Sequence, residues 1–319
     1  MNASKPLATG ATAREFVKFK NDEPDPNIIA ITRIINKEHN SEDFSPLLSV
    51  IIPTSDGYRN GLLPALLNQI REQRFQNFET IVVKGDSKQG RAINTGVDLA
   101  RGKYIMTLDD DTSLHTKDAF SLLVRAMDNY KNIGMAGGIN IIPSDAPTFI
   151  KRAMREIPRR STPRVERITD SDLAEHPLLI MRKEVFKAIG GENELLPRGL
   201  DPYLRQRCRE KGYRVVVVPN AFYSHLPPPT VNKLIRQFFR NGFHAAFCNK
   251  FFPQWVIETP DYHVNGFITK RPFYFRIARF IVGMAKKVAK GHFVYISAFT
   301  AYAAGFIWGY LVQKKSAIA

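Results

Sequence analysis

Between Leu47 and Leu108 the sequence alternates short apolar runs with helical periods, and that alternation restricts the chain to a layered α/β fold. Leu47–Pro53, L-L-S-V-I-I-P, is the β-branched kind of run that a strand buried on both faces needs. From Leu62 to Gln73, the residues Leu62, Leu63, Leu66, Leu67 and Ile70 share one helical face. A second strand is predicted over Phe78–Val83. Gly85 to Gly90 breaks the pattern, and a helix over Arg91–Ala100 leads through Arg101-Gly102 into a third strand, Tyr104–Leu108. This order predicts a parallel sheet with right-handed crossovers. The alternation continues with a helix over Lys117–Tyr130, strands over Gly134–Ile142 and Leu178–Met181, and a helix over Lys183–Ile189 stopped by Gly190-Gly191. A helix from Asp201 to Lys211 and a strand over Tyr213–Val218 follow.

The third strand stops at three consecutive carboxylates, Asp109, Asp110 and Asp111. Open α/β sheets bind ligands at the carboxyl ends of their strands, so the charge falls where chemistry is expected. Adjacent carboxylates repel one another, and a divalent cation that takes oxygen ligands, Mg²⁺ or Mn²⁺, relieves the repulsion. The alternative is a solvated acidic turn capping a helix that begins near Thr112 or Ser113. No G-x-G-x-x-G follows the first strand and no Walker A sequence occurs, which argues against a dinucleotide dehydrogenase and against ATP-driven work.

With 319 residues, 44% apolar and 24% charged, the chain can bury a sizeable core. Its formal net charge of +16 calls for an anionic partner: nucleic acid, a lipid headgroup surface or a phosphorylated substrate. Lys151 to Arg167 concentrates that charge, with Lys151, Arg152, Arg155, Arg159, Arg160, Arg164 and Arg167 against Glu156 and Glu166, and is predicted as an anion-facing loop. Cys208 and Cys248 lack metal-type spacing, which suggests a reducing compartment without a disulfide framework. The N-terminus lacks the pattern of a secretory signal.

At the other end, Phe293 to Val312 carries no charge and is flanked by Lys286, Lys287, Lys290, Lys314 and Lys315. It is long enough to span hydrocarbon, yet diluted by Ser297, Thr300 and tyrosines, so a span, an in-plane membrane helix and a buried helix all stay open. Thr230–Phe252 and Arg271–Lys290 mix phenylalanine with arginine and lysine in the manner of segments on an anionic membrane. The organisation expected is an N-terminal extension (1–45), where a patch at Ile28–Ile35 forms an edge strand or short helix, then a catalytic domain (46–226) and a helical, membrane-associating region (227–319).

Over Leu47–His225 the order of motifs resembles the family 2 glycosyltransferases. Ser49–Thr54, S-V-I-I-P-T, is similar to the family's opening strand and the loop that touches the nucleoside. Glu79–Val83 with Asp86-Ser87 is similar to its base-binding element, with V-V-K-G-D-S where V-V-D-D-G-S is common. Gly90–Gly96, G-R-A-I-N-T-G, and the strand ending in Asp109–Asp111 are close to its asparagine-containing helix and Asp-x-Asp motif. E-H-P-L-L-I-M-R-K-E-V-F-K-A-I-G-G and G-L-D-P-Y-L-R-Q-R resemble the acceptor-side strand and the helix that carries the catalytic base, with Leu200 in place of a glutamate.

The resemblance implies a GT-A fold, Rossmann-like, with a mostly parallel central sheet flanked by helices. It implies an inverting transferase that uses a UDP, GDP or dTDP sugar with Mn²⁺ or Mg²⁺. Pro53, Thr54, Asp86, Arg91, Asn94, Asp109, Asp110 and Arg207 would serve the nucleotide sugar, with Arg205 and the basic loop as further diphosphate ligands. Asp111 and His225 would hold the metal, and Asp201 would be the general base unless it merely caps its helix. A glycan or lipid-linked acceptor at the cytoplasmic face of an anionic membrane would suit the C-terminal helices, with no nucleic acid expected. The rivals are a sugar nucleotidyltransferase, a catalytically dead relative, and a non-catalytic basic protein that binds nucleic acid or membrane surfaces.

Overall fold

The structure is a computed structural model that describes residues 12–16, 19–20, 23–24, 30–35, 45–258, 263 and 271–314. Ile28 and Lys315, part of the patterns above, lie outside them. The strands are β1 (Thr12–Phe16), β2 (Phe19–Lys20), β3 (Glu23–Pro24), β4 (Ala30–Ile35), β5 (Leu48–Thr54), β6 (Phe78–Lys84), β7 (Tyr104–Thr107), β8 (Thr112–Leu114), β9 (Ile133–Asn140), β10 (Thr169–Asp170), β11 (Leu179–Arg182) and β12 (Arg214–His225). The helices are α1 (Leu62–Arg71), α2 (Gln89–Leu99), α3 (Ala119–Asn129), α4 (Thr148–Glu156), α5 (Lys183–Ala188), α6 (Leu200–Glu210), α7 (Val231–Phe251), α8 (Phe273–Ala289) and α9 (Phe293–Val312).

The main sheet runs β1-β4-β6-β5-β7-β11-β9-β12-β10, with β8 added to the end of β12; β2 and β3 pair separately. In its centre β6, β5, β7, β9 and β12 point the same way and β11 alone runs against them. Successive residues of β5 serve opposite faces, as strand geometry requires. Val50 and Ile52 pack with Leu63, Leu66 and Ile70 of α1 and Phe120 and Leu123 of α3, whereas Ile51 packs with Ile93 and Val97 of α2. The result is a three-layer α/β/α sandwich, with α1 and α3 on one face and α2, α5 and α6 on the other.

The Ile28–Ile35 patch supplies β4, paired antiparallel to β6. Arg33 of β4 reaches the fully buried Glu79 of β6 at 3.1 Å, and Ser49 Oγ donates to the same carboxylate at 2.7 Å, so a buried charge ties β4 and β5 to β6. The segment after Asp111 is the strand β8 and not the start of a helix, because its backbone pairs antiparallel with Tyr223–His225. The basic stretch from Lys151 begins inside α4. Strand β12 extends past its predicted end at Val218, shifting register on β9 between Val217 and Phe222, where Asn220 adopts φ 63°. That irregularity carries the end of β12 across to β8.

Helices α7 and α9 lie side by side in the same direction. Phe238 meets Phe299 at 5.5 Å between ring centroids near their starts, and Lys250 Nζ donates to Tyr310 O at 2.8 Å near their ends. The approach is down to backbone: a Cβ on Gly305 would fall 2.0 Å from Phe239 O, and one on Gly242 would fall 2.0 Å from Tyr302 O. Leu234 and Phe238 of α7 and Ala298 of α9 also pack on Ala153 and Ile157 at the end of α4. The opposite side of α9 and much of α8 is apolar and open, with Tyr274 75%, Ile281 60%, Phe293 67% and Leu311 72% exposed. Gly305→Leu is expected to separate α9 from α7 at a cost of about 1–3 kcal/mol or more, read as a lowered denaturation midpoint, while Gly283→Ala, where an added methyl inside α8 meets nothing, should keep or slightly raise the midpoint.

Candidate active site

Strand β7 delivers Asp109–Asp111 at its carboxyl end, and a turn in which Thr112 N donates to Asp109 O at 3.0 Å leads into β8. The pairing of β8 with β12 sets Thr112 opposite His225, which brings His225 Nε2 to 3.1 Å from Asp111 Oδ1. Asp109, Asp111 and His225 each offer a ligand atom, and these atoms lie within 4.8 Å of one another. Two carboxylate oxygens and one imidazole nitrogen converging from two strands form a donor set that fits a divalent cation.

Each carboxylate has its own restraint. Gln89 Nε2, at the first residue of α2, donates to Asp109 Oδ1 at 2.9 Å. Thr54 Oγ1, at the end of β5, donates to Asp110 Oδ2 at 2.7 Å. Arg59, in a 3-10 turn ahead of α1, places Nη2 2.7 Å from Asp111 Oδ2 and Nε 3.4 Å from Asp110 Oδ1. Burial pushes the Asp109 carboxyl up to about 6, with the neighbouring charges of Asp111 and Asp201 adding to the rise and His225 and His176 opposing it. Burial acts on Asp111 in the same direction, but His225 and Arg59 outweigh it and hold that carboxyl well below the usual range. On His225 burial disfavours the charge, and Asp111 and Asp109 more than offset it, so its pKa is raised.

Asp201 stands in the first turn of α6, which begins after Gly199 at φ 85° with no side-chain cap. Its carboxylate does not cap the helix. Oδ1 accepts from the backbone N–H of His176 at 2.8 Å and also meets His176 Nδ1, while His176 Nε2 lies 2.7 Å from Glu192 Oε1. His176 and Glu192 are buried, whereas the Asp201 side chain is 30% exposed, and its Oδ2 is not engaged by these bonds. Burial alone would lower the His176 pKa; the charges of Asp201 and Glu192 raise it well above the ordinary histidine value. Asp201 is correspondingly held well below the usual carboxylate range, the cost of burial being exceeded by the charge and hydrogen bonds of His176.

The clamp has its own supports. Asn94 accepts from Glu192 N at 2.9 Å and donates to Glu192 O at 3.0 Å and to Glu194 Oε1 at 2.7 Å. Upstream of His176, Asp172 receives the fully buried Arg205 at 3.0 Å and Arg209 at 2.8 Å, and Arg159 Nη2 donates to Glu175 Oε1 at 2.6 Å.

These bonds sort the residues predicted from sequence. Asp109, Asp110, Asp111, His225 and Thr54 are brought together, with Pro53 adjoining on β5, and Asp201 is near enough for its charge to act on Asp109. Asp86 and Arg91 are paired to each other through two bonds of 2.7 and 2.8 Å. Arg207, Arg205, Asn94 and part of the basic stretch have partners within the chain. Arg207 stands on the outward side of α6, with Nη1 2.7 Å from Glu210 Oε2. Arg205 gives its guanidinium to Asp172 and Ala174 O inside the protein, and Asn94 uses its amide on the Glu192 loop. In the basic stretch, Arg152 and Arg159 are likewise paired to Glu156 and Glu175 rather than presented to an external anion. The residues that sequence did not single out are Arg59, Gln89, His176 and Glu192. His176 lay within a quoted motif, but no spacing links it to Glu192 or Asp201.

A cleft of about 1320 Å³ extends from Lys88, Gln89 and Asp201 past Arg198, His244 and Trp255 to the end of α9 at Val312. Leu200 faces away from an acidic role, packed with Leu196, Phe247, Cys248 and Phe252.

An α/β sandwich with acidic residues at the end of a central strand and a carboxylate at a helix start across from it defines the GT-A class. The mannosyltransferase PcManGT from Pyrobaculum calidifontis, solved with GDP-Man and Mn²⁺, shares the fold at a TM-score of 0.52 and 14% identity over 85% of this chain and 89% of its own. TarS residues 1–349 of S. aureus, solved with UDP-GlcNAc, aligns at a TM-score of 0.44 and 14% identity over 63% of this chain and 65% of its own. A search of the curated proteins found no match. Residues 84–190 match the family model described as Glycosyl transferase family 2.

Replacing His176 by Gln would leave Glu192 buried without its cationic partner, at an expected cost of about 3–5 kcal/mol in urea unfolding near neutral pH. The sign of the pH dependence follows from the two shifts. The raised His176 contributes stability in full below its unfolded pKa and loses it as pH rises through the folded value, and the depressed Asp201 contributes above its unfolded pKa and loses it as pH falls. The stability gap between wild type and variant should therefore narrow from neutral toward alkaline pH; a constant gap would show that His176 is not held charged.

Proposed function

We propose that this chain is a divalent-metal-dependent, inverting glycosyltransferase that moves a sugar from a nucleoside diphosphate to a hydroxyl or phosphate acceptor, on a lipid-linked or membrane-proximal glycan. The observation that carries the reading is the pairing of two unlike sites: Asp109, Asp111 and His225 as a cation-binding trio, and Asp201 as an ionised carboxylate with one oxygen clamped and its side chain partly open to the cleft.

Asp109, Asp111 and His225 would hold the cation, which when bound supplies Lewis-acid stabilisation of the charge on a departing diphosphate. Asp201 Oδ2 accepts the proton of the acceptor hydroxyl as its oxygen attacks the anomeric carbon and the bond to the diphosphate breaks on the opposite face. Inversion at that carbon is the expected stereochemistry. His176 keeps Asp201 ionised through the neutral range and fixes its orientation, so the base does not depend on the protonation of its own carboxyl near pH 7. Asp86, Arg91, Thr54 and Pro53 border the donor side.

Membrane association is supported by the apolar side of α8 and α9 and by the lysines that border it, Lys286, Lys287, Lys290 and Lys314. Of the orientations open to α9, the in-plane one fits best. A span would carry α7 into hydrocarbon alongside it, with Lys233, Arg236, Arg240 and Lys250, at about 2.5–3.5 kcal/mol for each charge near the bilayer centre. Seated on the cytoplasmic leaflet, the cleft would receive an acceptor whose lipid stays in the membrane. A nucleic-acid partner has less support, because Arg159, Arg205 and Arg209, which contribute to the positive charge, are paired internally.

Titration with UDP, GDP and dTDP is expected to give at least one nucleotide whose affinity rises about tenfold or more with Mn²⁺, and Asp111→Asn should abolish that rise; metal-independent binding would refute the cation role. With that donor, Asp201→Asn should lower turnover about 10²–10⁴-fold while leaving donor affinity near wild type. The full chain should float with anionic vesicles and be released by salt, whereas flotation with neutral vesicles alone would remove the charge-guided seat.

A further inference from the structure

Both carboxylate oxygens of Asp111 face nitrogen donors: Oδ1 meets His225 Nε2 at 3.1 Å and Oδ2 meets Arg59 Nη2 at 2.7 Å. Arg59 also approaches Asp110 at 3.4 Å, so a guanidinium lies along the acidic strand end next to the cation-binding trio. The turn that carries it is shaped for this pose. Asp56 Oδ1 accepts from Tyr58 N at 2.9 Å and Arg59 N at 2.8 Å, and Thr54 Oγ1 links Gly57 N to Asp110. Arg59, Asn60 and Gly61 hold φ of 49°, 54° and 88°, a left-handed run that the two non-glycine residues rarely adopt. Such backbone persists only where surrounding bonds determine it. Unlike the sealed Arg205, the Arg59 side chain is 46% exposed and can leave its carboxylates for water or another anion.

We propose that Arg59 is a resident counter-ion of the acidic strand end, which competes with the divalent metal for Asp111 and passes to the donor diphosphate when metal and nucleotide bind together. This rests on the metal reading above. A cation that draws on Asp111 Oδ2 must displace the guanidinium, so metal alone binds against the loss of that pair. When a nucleoside diphosphate is present, the freed guanidinium finds phosphate oxygens, which its planar fork suits. Arg59 thereby couples the two ligands: the nucleotide raises metal affinity, and the metal raises nucleotide affinity by the same factor.

The test is Mn²⁺ binding to the full chain, followed by the EPR signal of free Mn²⁺, with and without the nucleoside diphosphate that binds. Arg59→Ala is expected to bind Mn²⁺ alone about tenfold more tightly than wild type, a change of about 1.4 kcal/mol, and to lose most of the enhancement by nucleotide. Arg59→Gly tolerates the left-handed backbone and removes the guanidinium, so it should match the alanine variant even if the latter distorts the turn. Arg59→Lys should fall between them and wild type. Mn²⁺ bound equally or more weakly by the alanine and glycine variants than by wild type would overturn the counter-ion role and leave the metal reading standing. Absence of Mn²⁺ binding in wild type and variants alike would overturn both.

Discussion

Electrostatic repulsion among Asp109, Asp110 and Asp111 is the constraint around which this molecule is assembled. Three ionised groups on successive residues cannot be sheltered at a strand end unless partners arrive from elsewhere in the chain. They come from four directions: Thr54 from β5, Arg59 from the turn after it, Gln89 from α2 and His225 from β12. The fold supplies these by ordinary strand geometry. Parallel β5 and β7 end on the same side, so Thr54 and Asp110 meet, and the irregularity near Asn220 carries β12 to β8 and so His225 to Asp111.

The second centre obeys the opposite logic. At the strand end negative charge is concentrated and then relieved; at Asp201 a cation, His176, is enclosed by two carboxylates and holds one of them in place. Burial penalises all three groups, and the arrangement survives because each charge faces its complement at hydrogen-bond distance. The two centres feel each other, since His176 and Asp201 act with opposite sign on Asp109.

Much of this was legible in the chain before its structure. The alternation from Leu47 to Leu108 dictated β5, α1, β6, α2 and β7, because apolar periodicity is a local property, and the acidic run at the end of β7 followed from adjacency alone. The pairings were not legible. Nothing in the spacing of His176, Glu192 and Asp201 reports that a turn and two helix ends converge. Arginine identity likewise did not reveal that Arg205 would be sealed on Asp172 while Arg59 stays half open. Sequence assigned the arginines by their charge; the structure sorts them by which carboxylate lies within reach. The strand predicted over Tyr213–Val218 runs on to His225, because at Pro219 and Asn220 the backbone shifts register without leaving the sheet.

Leu200, where a glutamate was expected, has a consequence for how the chain can be divided. Its side chain is seated with Leu196 among Phe247, Cys248 and Phe252, so the residue next to Asp201 is a contact of α7. A fragment ending at His225 would leave that apolar surface uncovered beside Asp201. The C-terminal helices are therefore part of the wall against which Asp201 is set, and a trimmed protein would keep the acidic strand end while loosening the surroundings of Asp201.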